Sequence, residues 1–557
     1  MTIKQVRNFR RVSQIIFFAI FFWLILKTNF SVNFNPSNPN EITLPLPVSI
    51  ALQFDPLTAL GALLANGTLY KGLLWSLVIL IPTIFLGRFF CGWVCPLGSL
   101  NHWVSEFPSE RLRRKGRQKM ESNRYKKYQR IKYYIFFFFI GAAILGTLQI
   151  GLLDPLPLLA RSIGTVLLPT VHTAAAGTLG WIKSLGFPPL GKAAQATYDI
   201  ISPLFLNFRL VHFHAILTIA ILFGSILIMN RIFTRFWCRG ICPLGAMLGI
   251  FSRYAIFGLK KDEKACNHCN ECLLSCQGAD NPDIGSPWRQ AECHLCLNCQ
   301  AACPKSALKF KFFPEQEITK TNPTGVQKID VSRRKVIASV AGGLVLYPLF
   351  RSGDSFGVNA ESRLIRPPGS VEEKDFLARC IRCGQCMRVC PNNALHPTLL
   401  ESGLEGVWSP ILIPKIGYCE PTCTLCGQVC PTGAILPLTM KQKVGDNSIP
   451  PNRIGAAFID RGRCLPWAMA RPCIVCEEWC PTSPKAIYLR EEKVLNRAGM
   501  PVTVKQPYID PAVCTGCGAC EYACPVADRA AIYVTSVGES RSSRNQILLQ
   551  RKETKKA

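Results

Sequence analysis

Twenty-four of the 28 cysteines stand in six compact groups, spaced so that one short loop can wrap several thiolates around a single inorganic cube. The first group is Cys266-x2-Cys269-x2-Cys272-x3-Cys276, and the second is Cys293-x2-Cys296-x2-Cys299-x3-Cys303-Pro304. Two-residue gaps bring successive sulfurs to adjacent corners of a [4Fe–4S] cluster, and in the bacterial two-cluster pattern the fourth cysteine crosses to the neighbouring cluster. By that rule Cys266, Cys269, Cys272 and Cys303 hold one cluster, and Cys293, Cys296, Cys299 and Cys276 hold its neighbour. Gln277 stands where a proline usually follows the first group, which bears on the turn and not on the ligand count. Zinc also takes soft thiolates, but zinc ribbons use separated pairs. Compact runs of four, doubled, favour clusters.

Four further groups follow: Cys380-x2-Cys383-x2-Cys386-x3-Cys390-Pro391, Cys419-x3-Cys423-x2-Cys426-x3-Cys430-Pro431, Cys464-x8-Cys473-x2-Cys476-x3-Cys480-Pro481 and Cys514-x2-Cys517-x2-Cys520-x3-Cys524-Pro525. The long first gap of the third group is suited to shaping a partner surface. Pairing can be consecutive, or the first with the fourth and the second with the third. A disulfide framework suits an exported domain, but it does not explain four repeated cluster spacings.

The remaining cysteines, Cys91, Cys95, Cys238 and Cys242, lie in an internal repeat. Arg88-Phe89-Phe90-Cys91-Gly92-Trp93-Val94-Cys95-Pro96-Leu97-Gly98-Ser99 returns as Arg235-Phe236-Trp237-Cys238-Arg239-Gly240-Ile241-Cys242-Pro243-Leu244-Gly245-Ala246. A weaker echo pairs Asp55-Pro56-Leu57 with Asp154-Pro155-Leu156. If the repeat brings the two pairs together, four thiolates could hold an additional iron–sulfur or zinc centre. Two structural cysteine pairs are the alternative.

Elements that could position these residues are legible in the hydropathy. Four apolar stretches, Ser13–Leu26, Leu73–Leu86, Tyr133–Leu153 and Val211–Met229, suggest four membrane spans, each needing about 20 apolar residues. The net charge of +29 fits this better than nucleic-acid binding, because the basic run from Arg111 to Lys132 lies between two apolar stretches. Basic residues beside spans mark cytoplasmic loops, so the chain termini of this unit and the Cys-x3-Cys-Pro segments face the cytoplasm. The Asp-Pro-Leu segments face the periplasm. Two units in the same orientation make a parallel repeat.

Between Phe312 and Phe376, Ser332-Arg333-Arg334-Lys335 precedes the apolar run Ala338 to Phe350, a fifth candidate span that resembles a twin-arginine export signal. Val358-Asn359-Ala360 is a candidate cleavage site, and an uncleaved anchor is the alternative. The expected fold is multi-domain, an α-helical membrane bundle joined to α+β ferredoxin-like [4Fe–4S] domains. Its expected parts are 1–260 membrane domain, 261–312 cytoplasmic two-cluster domain, 313–370 linker, 371–540 four-cluster periplasmic domain and 541–557 basic tail.

Residues 1–310 resemble the NapH/MauN type of membrane ferredoxin, on the two Cys-x3-Cys-Pro-Leu-Gly segments, the four spans and the doubled cluster motif. Residues 330–535 resemble the NapG/MauM type, including Ile365-Arg366-Pro367-Pro368-Gly369 ahead of Cys380-Ile381-Arg382-Cys383-Gly384. The resemblance implies a fusion of both, anchored in a bacterial inner membrane. It further implies quinol oxidation from the membrane pool, with six [4Fe–4S] clusters passing electrons to a periplasmic reductase or c-type cytochrome.

Quinol oxidation needs proton acceptors, and ionisable residues at membrane depth are candidates by default: Asp55, Asp154, His212 and His214. Helix capping and interfacial anchoring are their other readings. No Cys-x2-Cys-His haem site or Gly-x-Gly-x2-Gly fingerprint occurs. The competing functions are maturation of a metalloenzyme and a wholly cytoplasmic six-cluster wire. One difficulty is distance, since about 30 Å of hydrocarbon would separate the two cluster-bearing domains.

Overall fold

The computed structural model describes residues 3–29, 43–313, 329–346 and 363–546, apart from 45, 69, 107–115, 185–188, 190, 193–194, 200–211, 263, 279–288, 330, 447 and 544. The candidate cleavage tripeptide, most of the basic tail and the basic residues Arg111, Arg113, Arg114 and Lys115 lie outside the described residues.

The apolar stretches fold as helices, but not as four uniform spans. Helix α1 (Ile3–Lys27) has 25 residues and is the one described helix long and apolar enough to cross a membrane by length and composition. The second stretch begins as a 3-10 turn (Lys71–Ser76) and continues as Leu77–Leu86, with Pro82 inside. Proline lacks the N–H that a longer continuous helix needs. The third stretch ends as a helix after 14 residues, Ile131–Ile144 (α2), because Gly146 turns left-handed at φ 86° and Thr147 Oγ1 caps the carbonyl of Ala142. The fourth is helical over Ile216–Ile232 (α3), 17 residues. Hydropathy runs straight through such a turn, which is why the third stretch reads longer than its helix.

These short helices still turn apolar faces outward. Leu217, Ile221 and Ile228 on α3 are 61–68% exposed, and Val78, Ile81 and Phe85 are about half exposed. The inward faces share one core with Leu52, Leu57, Tyr133, Leu156, Trp237 and Leu244.

A helix over Arg333–Val345 (α4) carries the paired arginines and lies along α2. Gly141 and Gly343 permit this close approach, because a Cβ at Gly141 would fall 2.4 Å from the Val340 carbonyl and one at Gly343 2.2 Å from that of Phe138. The backbone N–H of Ser332 meets Tyr134 Oη near the start of α2.

Two cysteine-rich modules flank this core. The smaller holds an antiparallel pair, Phe257–Lys261 with Leu308–Phe312. The larger, residues 363–546, holds three antiparallel pairs: Leu395–Pro397 with Pro410–Leu412, Ala456–Ile459 with Ile532–Thr535, and the long hairpin Ile487–Leu495 with Pro501–Ile509. Helix α1 touches both modules. Arg10 donates to Asn298 of the smaller, and the Ile25 carbonyl accepts from Arg388 of the larger. At 1.5 Å rise per residue, those two points are about 22 Å apart along the helix.

Candidate functional site

The cluster loops share a backbone signature. In each of the four groups with a two-residue first gap, the residues just before and just after the second cysteine are left-handed: His268 and Asn270, Leu295 and Leu297, Arg382 and Gly384, Gly516 and Gly518. Left-handed backbone is costly for residues such as leucine and persists where the fold demands it; here it curls the chain around a common centre. Backbone N–H groups also aim at sulfur, Ala307 to Cys303 at 3.3 Å, Ala394 to Cys390 at 3.3 Å, Ile435 to Cys430 at 3.4 Å and Ala531 to Cys524 at 3.3 Å. Such hydrogen bonds favour the thiolate form. Among the described residues no three His, Cys, Asp or Glu side chains are arranged for a single metal ion. A cubane instead spreads its thiolates over separate corners, and the loops fit that arrangement.

The larger module resolves the open pairing as consecutive. Cys430 sits with Cys380, Cys383 and Cys386 at a first site, and Cys390 with Cys419, Cys423 and Cys426 at a second. Cys480 sits with Cys514, Cys517 and Cys520 at a third, and Cys524 with Cys464, Cys473 and Cys476 at a fourth. Small cavities of about 30, 20 and 20 Å³ lie among the cysteines of the second, third and fourth sites. The order in space is first, second, third, fourth. Cys386 neighbours Cys426, the Cys419 N–H donates to the Cys517 carbonyl at 2.8 Å, and Cys520 neighbours Cys476. Tyr418, Trp479 and Tyr522 pack together at the junction of the second and third sites, with ring centroids 5.4–5.9 Å apart, Tyr418 and Trp479 edge to face and the other two pairs tilted.

In the smaller module the short helices Glu271–Ser275 and Asn298–Ala302 pack together, and Asn298 donates to the Ser275 carbonyl. This brings Cys266, Cys269, Cys272 and Cys276 alongside Cys293, Cys296, Cys299 and Cys303.

The repeat in the apolar core produces two different ends. At one, Cys91, Cys95, Cys238 and Cys242 are buried and gathered, Cys95 beside Cys91 and Cys238, and Cys242 beside all three others. The copies match atom for atom where Gly98 N–H donates to Cys95 Sγ at 3.4 Å and Gly245 N–H donates to Cys242 Sγ at 3.2 Å. Their leading arginines cross over: Arg88 reaches Cys91 Sγ at 3.9 Å and lies against Gly245, while Arg235 donates to the Cys91 carbonyl at 3.3 Å. Asn101 donates to Cys238 Sγ at 3.4 Å. Buried Arg235 keeps Nε and Nη2 without a partner among the described residues.

The smaller module is seated on this end. A Cβ at Gly92 would fall on the His294 carbonyl, Trp93 donates to the Leu295 carbonyl at 3.0 Å, and Glu292 pairs with Lys132 while accepting from Tyr133 Oη at 2.8 Å.

At the other end Asp55 and Asp154 meet. Each caps a helix, Pro56–Asn66 and Pro155–Arg161, with Asp55 Oδ1 accepting from Leu57 N–H at 2.9 Å and Asp154 Oδ1 from Leu156 N–H at 3.4 Å. Thr58 Oγ1 of the first copy donates to Asp154 Oδ2 of the second at 3.3 Å. The two buried carboxyl groups are close neighbours. Asp55 Oδ2 has no N–H or O–H donor among the described residues. Capping and pairing are therefore combined in the same side chains.

The larger module is seated here, on the loop that carries its first site. A Cβ at Gly151 would lie 2.5 Å from the Ile381 carbonyl. Arg161 donates to the Arg382 carbonyl at 2.7 Å and lies over the Trp408 ring, while Arg382 reaches back to the Leu148 carbonyl. These two buried arginines cross the interface in both directions, and sequence reading assigned neither of them that role.

His212 and His214 lie elsewhere on the same interface. The His214 N–H faces His396 Nδ1 at 3.3 Å, and the His212 carbonyl accepts from Asn393 at 2.8 Å. Among the described residues no hydrogen bond joins either histidine to the aspartates.

A family model described as a 4Fe-4S binding domain matches residues 68–115 and 215–262, the two cysteine-pair segments, and two others with that description match 376–396 and 505–526. The chain is 32% identical over 204 residues to the methylamine utilization ferredoxin-type protein MauM of Methylophilus methylotrophus, covering 36% of this chain and 84% of that protein. It is 33% identical over 197 residues to the ferredoxin-type protein NapG of Escherichia coli K12, 34% of this chain and 80% of that protein. MauM of Paracoccus denitrificans is 33% identical over 228 residues, 38% of this chain and 89% of that protein. No solved structure matches.

Proposed function

Because the chain belongs to the family of NapG and MauM ferredoxin-type iron–sulfur proteins, we propose that it is a membrane quinol dehydrogenase feeding a periplasmic acceptor. The 24 grouped cysteines would hold six [4Fe–4S] clusters, each able to carry single electrons. Cys91, Cys95, Cys238 and Cys242 would hold a further centre shared between the two repeats.

A membrane setting is supported by the outward apolar faces of α1, Leu77–Leu86, α3 and α4, since contiguous exposed apolar surface of this kind marks a lipid or partner contact. In this reading the four apolar stretches cross as short, interrupted helices, and α4 is an uncleaved fifth crossing. The modules at opposite ends of α1 then stand on opposite sides, the smaller cytoplasmic and the larger periplasmic. The NapH/MauN character of residues 1–310 rests on the cysteine-pair repeat.

The observation that carries the quinol reading is the Asp55–Asp154 pair, buried in the apolar core three residues from the Gly151 contact with the first cluster loop. A quinol ring seated there has a hydroxyl donor to offer, and Asp55 Oδ2 is the acceptor left open. Thr58 fixes the Asp154 oxygen and orients the pair across the repeat axis.

Purified protein in liposomes, given a short-chain quinol under anaerobic conditions, is expected to show reduced cluster signals from the larger module. Dithionite-reducible clusters that ignore quinol would overturn the reading. A periplasm-active reporter fused after Gln550 tests the sidedness; activity only in the cytoplasm would reverse it.

A further inference from the structure

The second cluster group is the one whose first gap has three residues, Cys419-Glu420-Pro421-Thr422-Cys423. The extra residue opens the loop, and the buried ammonium of Lys443 occupies it, donating to the carbonyls of Glu420 and Cys423. Lys443 stands beside Cys419, Cys423 and Cys426, on the short helix Met440–Val444. A capping box holds that helix at its start: Thr439 Oγ1 accepts from Gln442 N–H at 3.3 Å and Gln442 Oε1 accepts from Thr439 N–H at 2.9 Å.

Among the described residues no carboxylate pairs with Lys443. The Glu420 carboxylate is engaged elsewhere, with Oε2 accepting from Asn392 at 3.1 Å. A buried cation needs an anion close by, and the thiolates of the second site are the anions present. Lys443 also lines a cleft of about 380 Å³ that reaches from Cys419 to Cys517, the junction between the second and third sites. The cations beside the third and fourth sites, Arg453 near Cys514 and Arg463 near Cys524, are not buried as Lys443 is.

We propose that Lys443 is a positioning residue that raises the reduction potential of the cluster held by Cys390, Cys419, Cys423 and Cys426, the extra residue of the Cys419-x3-Cys423 gap having made room for it. Adding one electron adds one negative charge to that site, and the fixed ammonium stabilises the charge without moving. This rests on the cluster assignment alone and stands whether or not quinol is the donor.

The test is a redox titration of the full chain, followed by electron paramagnetic resonance, comparing the native protein with Lys443→Gln and Lys443→Arg. The cluster concerned is identified as the one whose signal changes in Cys419→Ser. In Lys443→Gln, iron and sulfide content are expected to stay native while that cluster's reduction constant falls by at least tenfold, since a unit charge within about 10 Å at an effective dielectric near 20 is worth more than that factor. A tenfold change is about 59 mV for a one-electron centre. Lys443→Arg is expected to keep the midpoint near native. An unchanged midpoint in Lys443→Gln, or an equal fall in both variants, overturns the proposal. Loss of the cluster in Lys443→Gln also overturns it, because the role is then loop integrity.

Discussion

The two ends of the apolar core descend from one repeat and diverge in chemistry. The end with Cys91, Cys95, Cys238 and Cys242 sets sulfur beside buried guanidinium groups, and a two-motif module is docked on it. The end with Asp55 and Asp154 sets two carboxyls against each other, and a four-site module is docked on it. Sulfur with cations suits a negatively charged electron centre, whereas paired carboxyls suit a proton. The comparison teaches that duplication placed like residues from both copies face to face, so that each end became a composite site neither copy could make alone.

The largest expected effect breaks the sulfur end. Replacing Cys95→Ser together with Cys242→Ser is expected to remove one centre's iron and sulfide in full, measured on purified protein, while quinol still reduces the larger module. Unchanged metal content would reduce the quartet to packing.

A middle-sized effect is expected where the larger module meets the carboxylate end. Arg161→Ala with Arg382→Ala removes the crossed hydrogen bonds to the Arg382 and Leu148 carbonyls. Truncating buried charged donors at an interface costs about 2–5 kcal/mol, so slower quinol reduction of the larger module is expected, with dithionite reduction unaltered. Stopped-flow absorbance reads both.

The smallest effect concerns the larger module's own stability. Burial works against the Glu373 carboxylate, yet Arg366 and Arg541 outweigh it and hold its pKa at about 2, against an ordinary 4.5. A carboxyl lowered in the folded state stabilises above its unfolded pKa and loses that contribution as pH falls through the folded value. Melting temperatures of the native chain are therefore expected to drop between about pH 4.5 and 2, and Glu373→Gln to flatten that part of the curve.

Much of this was legible in the chain itself. The cluster spacings, the Cys-x3-Cys-Pro-Leu-Gly repeat and the Asp-Pro-Leu echo each mark a real structural unit. Consecutive pairing was not legible, because the fourth cysteine's destination depends on how loops pack. The third helix was overread, since the turn at Gly146 leaves mean hydropathy unchanged. Arg161, Arg382 and Lys443 were missed because a buried cation is recognised by its surroundings. The three-residue gap between Cys419 and Cys423 was the one trace of Lys443. His212 and His214 were grouped with the aspartates by inferred depth, whereas His214 faces His396.

The most direct test of the central claim is anaerobic quinol reduction of Asp154→Asn in liposomes, followed at the cluster signals of the larger module. The account predicts native iron and sulfide, full reduction by dithionite, and quinol reduction slowed by about 10²-fold or more, the usual weight of a positioned proton acceptor. Native-rate reduction by quinol would remove the carboxylate pair from the reaction and contradict the account.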